Sequence, residues 1–215
     1  MSKADNHDLT KERLLDEAEG LFAKKGYDAV SVREITNAAS CNLAAVNYHF
    51  GNKKNLYLEV FRARWIPRAR RLHESFRKSL DAEEPASPKA VARALAQAFL
   101  VGPMSDEERF RHHQLMVREL GQSTEAFELV ADEVMRPFFK GLAATLQPAM
   151  PQGLGKDGLM LNVLSMFAMV LYFNFARVVV TRVTGQEYTK AFKAQLVEHI
   201  TKFSLTGFGV GEDLH

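Results

Sequence analysis

The sequence is short of most features that define an enzyme, a secreted domain or a sheet protein. Its 215 residues hold one cysteine, Cys41, so an intramolecular disulfide framework is excluded. The start, MSKADNHDLTKER, has no apolar stretch of the secretory kind, and a cytoplasmic protein is expected. No run alternates apolar and polar residues long enough for a half-buried strand, no hairpin signal appears, and no repeat is visible. Phosphate-cradling and dinucleotide glycine patterns, a nucleophile elbow and a zinc-protease motif are all missing. His112 and His113 are adjacent, so they point to different faces of a helix, and neither has a cysteine or carboxylate at ligand spacing. Ser165 stands in an apolar run without an identifiable base. The expectation is therefore no catalysis, no metal and no cofactor.

What is present is a large apolar fraction, 47%, ample for a packed core. The formal charge of +2 hides an uneven distribution. Residues 1–78 carry 15 Lys and Arg against 10 Asp and Glu, a net +5; residues 79–215 carry 13 against 16, a net −3. Much of the excess lies in RARWIPRARRLHESFRK, Arg62 to Lys78. A basic first third is what a chain needs to meet a polyanion there.

Almost every segment has the spacing of a helix. Leu14, Leu15, Ala18, Leu21 and Phe22 form an amphipathic stripe that Gly26 closes, with Thr10 or Asp8 as candidate start caps. Ser31 and Glu34 are spaced as a capping box, and Ala39-Ser40-Cys41 is a short turn. Asn42 suits the cap of a helix that buries Val46 and Phe50, four apart. Gly51-Asn52 breaks and recaps the chain, and Leu56, Val60 and Phe61 begin a long helix, kinked at Pro67, that runs to about Leu80. The linker is DAEEPASP, Asp81 to Pro88. Five helical blocks follow, about Lys89 to Val101, Asp106 to Gly121, Glu125 to Gln147, Gly158 to Thr184 and Glu187 to Thr206. GPMS, GQS, PAMPQGLGK and TG separate them.

The block LMLNVLSMFAMVLYFNFA, Leu159 to Ala176, has no formal charge and approaches a membrane span in length. Asn162, Ser165 and Asn174 interrupt it and Arg177 ends it, so no membrane association is expected. A helix apolar all round is buried on all sides, in a core or a subunit interface. Together with the Phe192, Leu196, Ile200, Phe203 stripe it predicts a two-helix surface for a homodimer, through about Gly158 to Thr206.

Three short helices with a tight turn between the second and third make a helix-turn-helix, whose last helix enters the major groove. Here NLAAVNYHF, Asn42 to Phe50, is a slim uncharged helix flanked by cations. The stretch from Leu14 to Phe61 resembles the DNA-binding domain of the TetR family of bacterial transcriptional repressors. The matching residues are Leu14, Ala18 and Phe22, Gly26-Tyr27, Ser31-Val32-Arg33-Glu34-Ile35, Tyr48-His49-Phe50, Lys53 and Leu56. The resemblance implies an all-α chain: a helix-turn-helix head at 1–51, a connecting helix at 52–80, and a ligand-binding and dimerisation domain at 81–215. It implies that Leu43, Ala44, Ala45 and Asn47 face base edges, and that Tyr48, Lys53, Thr10, Ser31 and Arg33 hold phosphates of double-stranded operator DNA. Chemistry agrees, since alanines allow close approach, Leu43 can meet a thymine methyl, and Asn47 can pair with adenine. The chain departs from the family's usual residues in Ser40 for Gly, Cys41 for Val and Asn47 for Tyr. Val46 and Phe50 are expected in the core, with His49 a satisfied packing histidine.

The resemblance also implies a cavity for a small-molecule inducer whose binding moves the connecting helix. Candidate lining residues are Phe99, Met104, Met116, Phe127, Met135, Phe139, Met166, Met169, Tyr172 and Phe173, adaptable apolar groups. Polar groups among them, Asn162, Asn174, Arg177, Arg118 and His113, are candidates to orient a ligand, with hydrogen bonding across the dimer the alternative for Asn174 and Arg177. The function expected is a ligand-responsive repressor. An activator of the same fold and a helical small-molecule carrier are the alternatives.

Overall fold

A computed structural model describes residues 3–82, 87–150 and 155–209, with side chains from His7 onward. Parts of the expected linker (83–86) and of the PAMPQGLGK separator (151–154) lie outside the described residues. The described residues are helical throughout, with no strand among them. In chain order the helices are α1 (Lys3–Lys25), α2 (Val32–Ala38), α3 (Ala44–Phe50), α4 (Lys53–Val60), α5 (Ile66–Asp81) and α6 (Pro88–Leu100). They continue as α7 (Asp106–Gly121), α8 (Glu125–Val130), α9 (Arg136–Leu146), α10 (Lys156–Phe175), α11 (Arg177–Thr184) and α12 (Lys190–Gly207).

Packing groups the chain into two compact units. The first joins Met1–Ala69 to Met104–Val134, and the second joins Arg70–Pro103 to Met135–His215. In the first unit α1 packs on α2, α3, α4 and α7, while α4 also touches α3 and α8. Its centre holds Leu14, Ala18 and Phe22 of α1, with Ile35, Val46, Leu56 and Phe61, all fully buried. Burial of each leucine, isoleucine, valine or phenylalanine among them stabilises by about 1.5–3 kcal/mol relative to exposure. In the second unit α6 packs against α10 and α12, and α10 also meets α9 and α11.

Helix ends follow their local chemistry. Gly26 ends α1 with φ 85°, a left-handed turn that glycine takes without strain. Ser31 Oγ accepts the Glu34 amide at 3.1 Å, and Ser105 and Glu108 cap α7 reciprocally. Asn42 Oδ1 accepts the Ala44 amide at 2.9 Å and Asn52 Oδ1 the Asn55 amide at 2.8 Å. Neither Thr10 nor Asp8 starts α1, because the helix already runs from Lys3. That first stretch has no apolar stripe to reveal it.

Two expectations change in the long helices. Instead of a simple kink at Pro67, a five-residue π turn, Phe61–Trp65, widens the helix just before it. Proline has no N–H to give the carbonyl four residues back and its ring crowds that carbonyl. Shifting the Ile66 amide to the Phe61 carbonyl makes room. A second π turn, Ala131–Met135, stands at the same spacing before Pro137. The block expected at Gly158 to Thr184 is two helices, broken at Ala176, where φ −90° and ψ 26° interrupt the ladder.

The basic run Arg62 to Lys78 is partly turned inward. Arg64 binds Glu12 and Asp16. Arg68 donates to both carboxylate oxygens of Glu19, which is fully buried, and approaches Glu108 at 3.6 Å. Arg111 reaches the same Glu19 at 3.4 Å. These cations are matched by carboxylates of α1 and α7, so they do not form the polyanion surface expected from composition. Removing one partner leaves a buried charge uncompensated, which costs about 3–5 kcal/mol. Arg68→Met is therefore expected to lower the urea-unfolding free energy by about 3 kcal/mol, the low end because Arg111 stays. A loss below about 1 kcal/mol would show that Glu19 is solvated.

Candidate functional site

The helix-turn-helix is built by α2, the turn at 39–43 and α3. The Ser40 amide donates to the Asn37 carbonyl at 3.1 Å and the Cys41 amide to the Thr36 carbonyl at 2.8 Å. This pair of bonds is the Schellman closure of a helix, which needs one left-handed residue. That residue is Ser40, with φ 51°, the one non-glycine residue at positive φ among the described residues. The turn thus keeps the backbone that glycine would take and carries a side chain there. Cys41 is half-buried, and its Sγ lies 3.2 Å from the Ala39 carbonyl oxygen.

Val46 and Phe50 anchor α3 in the core, at 0% and 8% exposure. Their burial leaves the opposite side in solvent. Leu43 is 49% and Tyr48 74% exposed; Ala44 and Asn47 are exposed and Ala45 is half-buried. Leu43, Ala44, Asn47 and Tyr48 recur at i, i+1, i+4, i+5 and share one uncharged face. Ser31 and Arg33 are exposed at the start of α2, whereas Thr10 is half-buried well inside α1. Lys53 opens α4, with its Nζ 4.2 Å from the centre of the Tyr27 ring.

His49 packs against rings, but it is not the satisfied histidine expected, because its Nδ1 has no hydrogen-bond partner among the described residues. Its ring centre lies 4.4 Å from that of His7 and 5.1 Å from that of Tyr48. Burial, with the charges of His7 and Lys11, holds its pKa below the usual histidine value, while Asp8 acts in the opposite sense. Nothing in the polar first stretch of the sequence marks this approach of α1's first turns to α3 through His7.

Another contact set invisible in the sequence ties α7 to α4 and to the end of α1. Glu119, 1% exposed, accepts from the Tyr57 hydroxyl at 2.6 Å and from the Thr124 amide at 2.8 Å. Burial, reinforced by that carboxylate, pushes the Tyr57 phenol far above its ordinary pKa. Arg118 Nη2 donates to the Lys24 carbonyl at 2.7 Å, closing the end of α1. Glu34 is held below the usual carboxylate range mainly by its hydrogen bond from Lys25.

The candidate ligand residues fall in both units. Met104, His113, Met116, Arg118 and Phe127 belong to the first; Phe99, Met135, Phe139, Asn162, Met166, Met169, Tyr172, Phe173 and Arg177 belong to the second. In the second unit Phe99 and Phe139 both meet Phe167 edge-on, at 5.2 and 5.0 Å. Phe138 stacks on His73 at 3.9 Å, and burial lowers the His73 pKa to about 4. Asn162, Met166 and Met169 line a recess of about 60 Å³ with Ser204 and Phe208. Arg177 lies over the Tyr188 ring, whose hydroxyl donates to the Phe173 carbonyl. Tyr172 is exposed.

Helix α10 is long and apolar enough to cross a membrane by length and composition. Within one chain it is not buried on all sides as expected. Leu159, Val163, Met166, Val170 and Asn174 are buried, while Leu161, Leu164 and Tyr172 are exposed. Phe203 of α12 is exposed as well.

Known proteins share this arrangement. Residues 14–60 match the family described as bacterial regulatory proteins, tetR family. Residues 88–208 match the C-terminal domain of the HTH-type transcriptional dual regulator CecR. Over 140 residues the chain is 30% identical to the HTH-type transcriptional dual regulator CecR of Shigella flexneri, covering 61% of this chain and 60% of that one. Over 47 residues it is 36% identical to the biofilm operon icaADBC HTH-type negative transcriptional regulator IcaR of Staphylococcus aureus (strain Newman), covering 22% and 25%. The matches thus span less than two thirds of these relatives. A transcriptional regulator from Rhodococcus sp. Rha1 has the same fold, with a TM-score of 0.64, 19% identity and coverage of 94% and 99%.

Relief of the left-handed strain at Ser40, about 1–2 kcal/mol, exceeds the flexibility glycine adds to the unfolded chain, about 0.5–1 kcal/mol. Ser40→Gly is accordingly expected to stabilise the protein by about 0.5–1 kcal/mol in urea unfolding. A destabilised variant would mean that the serine side chain supports the turn.

Proposed function

Because the chain belongs to the TetR family of bacterial regulatory proteins, we propose that it binds operator DNA as a homodimer, represses transcription, and leaves its operator when a small-molecule inducer binds. The observation that carries this reading is the uncharged face of α3, presented by the burial of Val46 and Phe50. Leu43, Ala44, Ala45 and Asn47 supply the base-reading surface. Tyr48, Lys53, Ser31 and Arg33 supply phosphate contacts beside it, and Thr10 completes the set. Lys53 is doubly suited, since it lies in the first turn of a helix, where backbone amides also favour a phosphate.

The dimer forms through α10 and α12. Leu161, Leu164 and Tyr172 share one side of α10, and a two-fold related copy covers that side together with Phe203. In functional terms residues 1–51 read DNA, 52–80 connect, and 81–215 bind ligand and dimerise. Inducer binding uses the aromatic group around Phe99, Phe139 and Phe167 with the methionines of α10. The ligand acts by preferring one spacing of the two heads over another, since only differential affinity shifts a population. Repression is supported by the name of the IcaR relative, a negative regulator. The CecR relative is named a dual regulator, which favours activation at some promoters as a second reading.

Binding to the chain's own upstream DNA, measured by anisotropy at two salt concentrations, tests the reading. Specific binding that weakens steeply with salt is expected; absence of sequence preference would indicate a carrier. Lys53→Ala is expected to weaken binding to all sequences alike and to make the salt slope shallower by about one unit, whereas Asn47→Ala relaxes one base position by about 1–3 kcal/mol. A Lys53 effect confined to one base position would contradict its phosphate role. Leu164→Arg is expected to give monomers in light scattering and to abolish specific DNA binding. A dimeric Leu164→Arg variant would move the interface elsewhere.

A further inference from the structure

Within the first packing unit, the end of α1, the loop from Gly26 to Ala29, α4 and the last turns of α7 border a cavity of about 690 Å³ that is open to solvent on one side. That is the size of a small-molecule site. It is made of residues outside the aromatic group assigned to the inducer. The half-buried Tyr27 ring lines it, tilted at 53° to the buried Tyr57 ring 5.0 Å away. A smaller recess of about 180 Å³ shares Tyr27, Tyr57 and Thr124 with it.

The charges around this cavity are unequally answered. Glu119 is spent on Tyr57 and Thr124, Lys25 on Glu34, and Asp28, at the solvent edge, accepts from Gln122 at 3.3 Å. Among the described residues Arg118 donates to the backbone carbonyls of Ala23 and Lys24, at 3.5 and 2.7 Å. Among the described residues its positive charge therefore meets partial charges and no carboxylate, beside the Tyr27 and Tyr57 side chains that line the same cavity. We infer that this cavity binds a planar organic anion, with its ring against Tyr27 and Tyr57 and its carboxylate, or an equivalent group, on the Arg118 guanidinium. Bidentate geometry makes arginine a suitable carboxylate partner. The assignment does not use the DNA reading. Only its consequence does: an anion held behind the head would add negative charge to the surface that meets phosphate.

The test is a titration of the full chain with naphthoate, without DNA, beside its uncharged alcohol analogue. Saturable binding at one site per chain is expected, with the alcohol at least about tenfold weaker. Val117 lines the cavity and is exposed, so its substitution leaves the core alone. Val117→Lys is expected to tighten naphthoate binding several-fold and Val117→Glu to weaken it several-fold. Arg118→Met should lose about tenfold or more, and the Val117 pair keeps the test decisive if that variant fails to fold. No saturable binding, equal affinity for the alcohol, or indifference to both Val117 changes would overturn the inference. DNA binding by the same variants, assayed separately, bears on the regulatory reading alone.

Discussion

The proposed interface depends on the burial of Val46 and Phe50 in a helix of seven residues. So short a helix has little stability of its own, because nucleation is costly and few bonds repay it. Packing on α1, α2 and α4 supplies what propensity does not. Because the two anchors lie four apart, they fix the rotation of α3 and so decide which side chains remain outside. The uncharged outer face is thus a by-product of core packing. Turning the helix by one residue position would bury Asn47 and expose Val46, destroying core and surface together.

The elements around α3 serve the same constraint. The Schellman turn at Ser40 sets the angle of entry, and the Gly51-Asn52 break sets the exit, with Gly51 at φ 80° and Asn52 capping α4. Behind them, Glu119 and Arg118 fasten α7 to Tyr57 of α4 and to the end of α1. The unit that carries α3 is therefore larger than the matched family segment at 14–60. An event in α7 has a hydrogen-bonded route to α4 and α1, the helices on which α3 packs.

Features written into local chemistry were legible in the sequence. Gly26, Ser31, Asn42 and Asn52 end or begin helices as their side chains and φ preferences dictate, and the four-residue spacing of Val46 and Phe50 identified the buried side of α3. Contacts distant in sequence were not legible. Tyr57 and Glu119 are 62 residues apart, and Arg118 lies 94 from Lys24; no local pattern announces such pairs. The basic run from Arg62 misled for the same reason, since the carboxylates that neutralise Arg64 and Arg68 lie on α1. Of the candidate site residues, those in α3 fall on one face by periodicity. The ligand candidates, chosen by residue type alone, are scattered over two units, because size and polarisability do not encode position.

The most direct measurement is a hydroxyl-radical footprint of the purified protein on the DNA upstream of its own coding sequence. Two related patches of protection are predicted on one face of the duplex, with centres about 10 base pairs or a multiple apart, both lost when Val46 is replaced by aspartate. A single patch, protection without that periodicity, or none at all would contradict a pair of α3 helices reading adjacent major grooves.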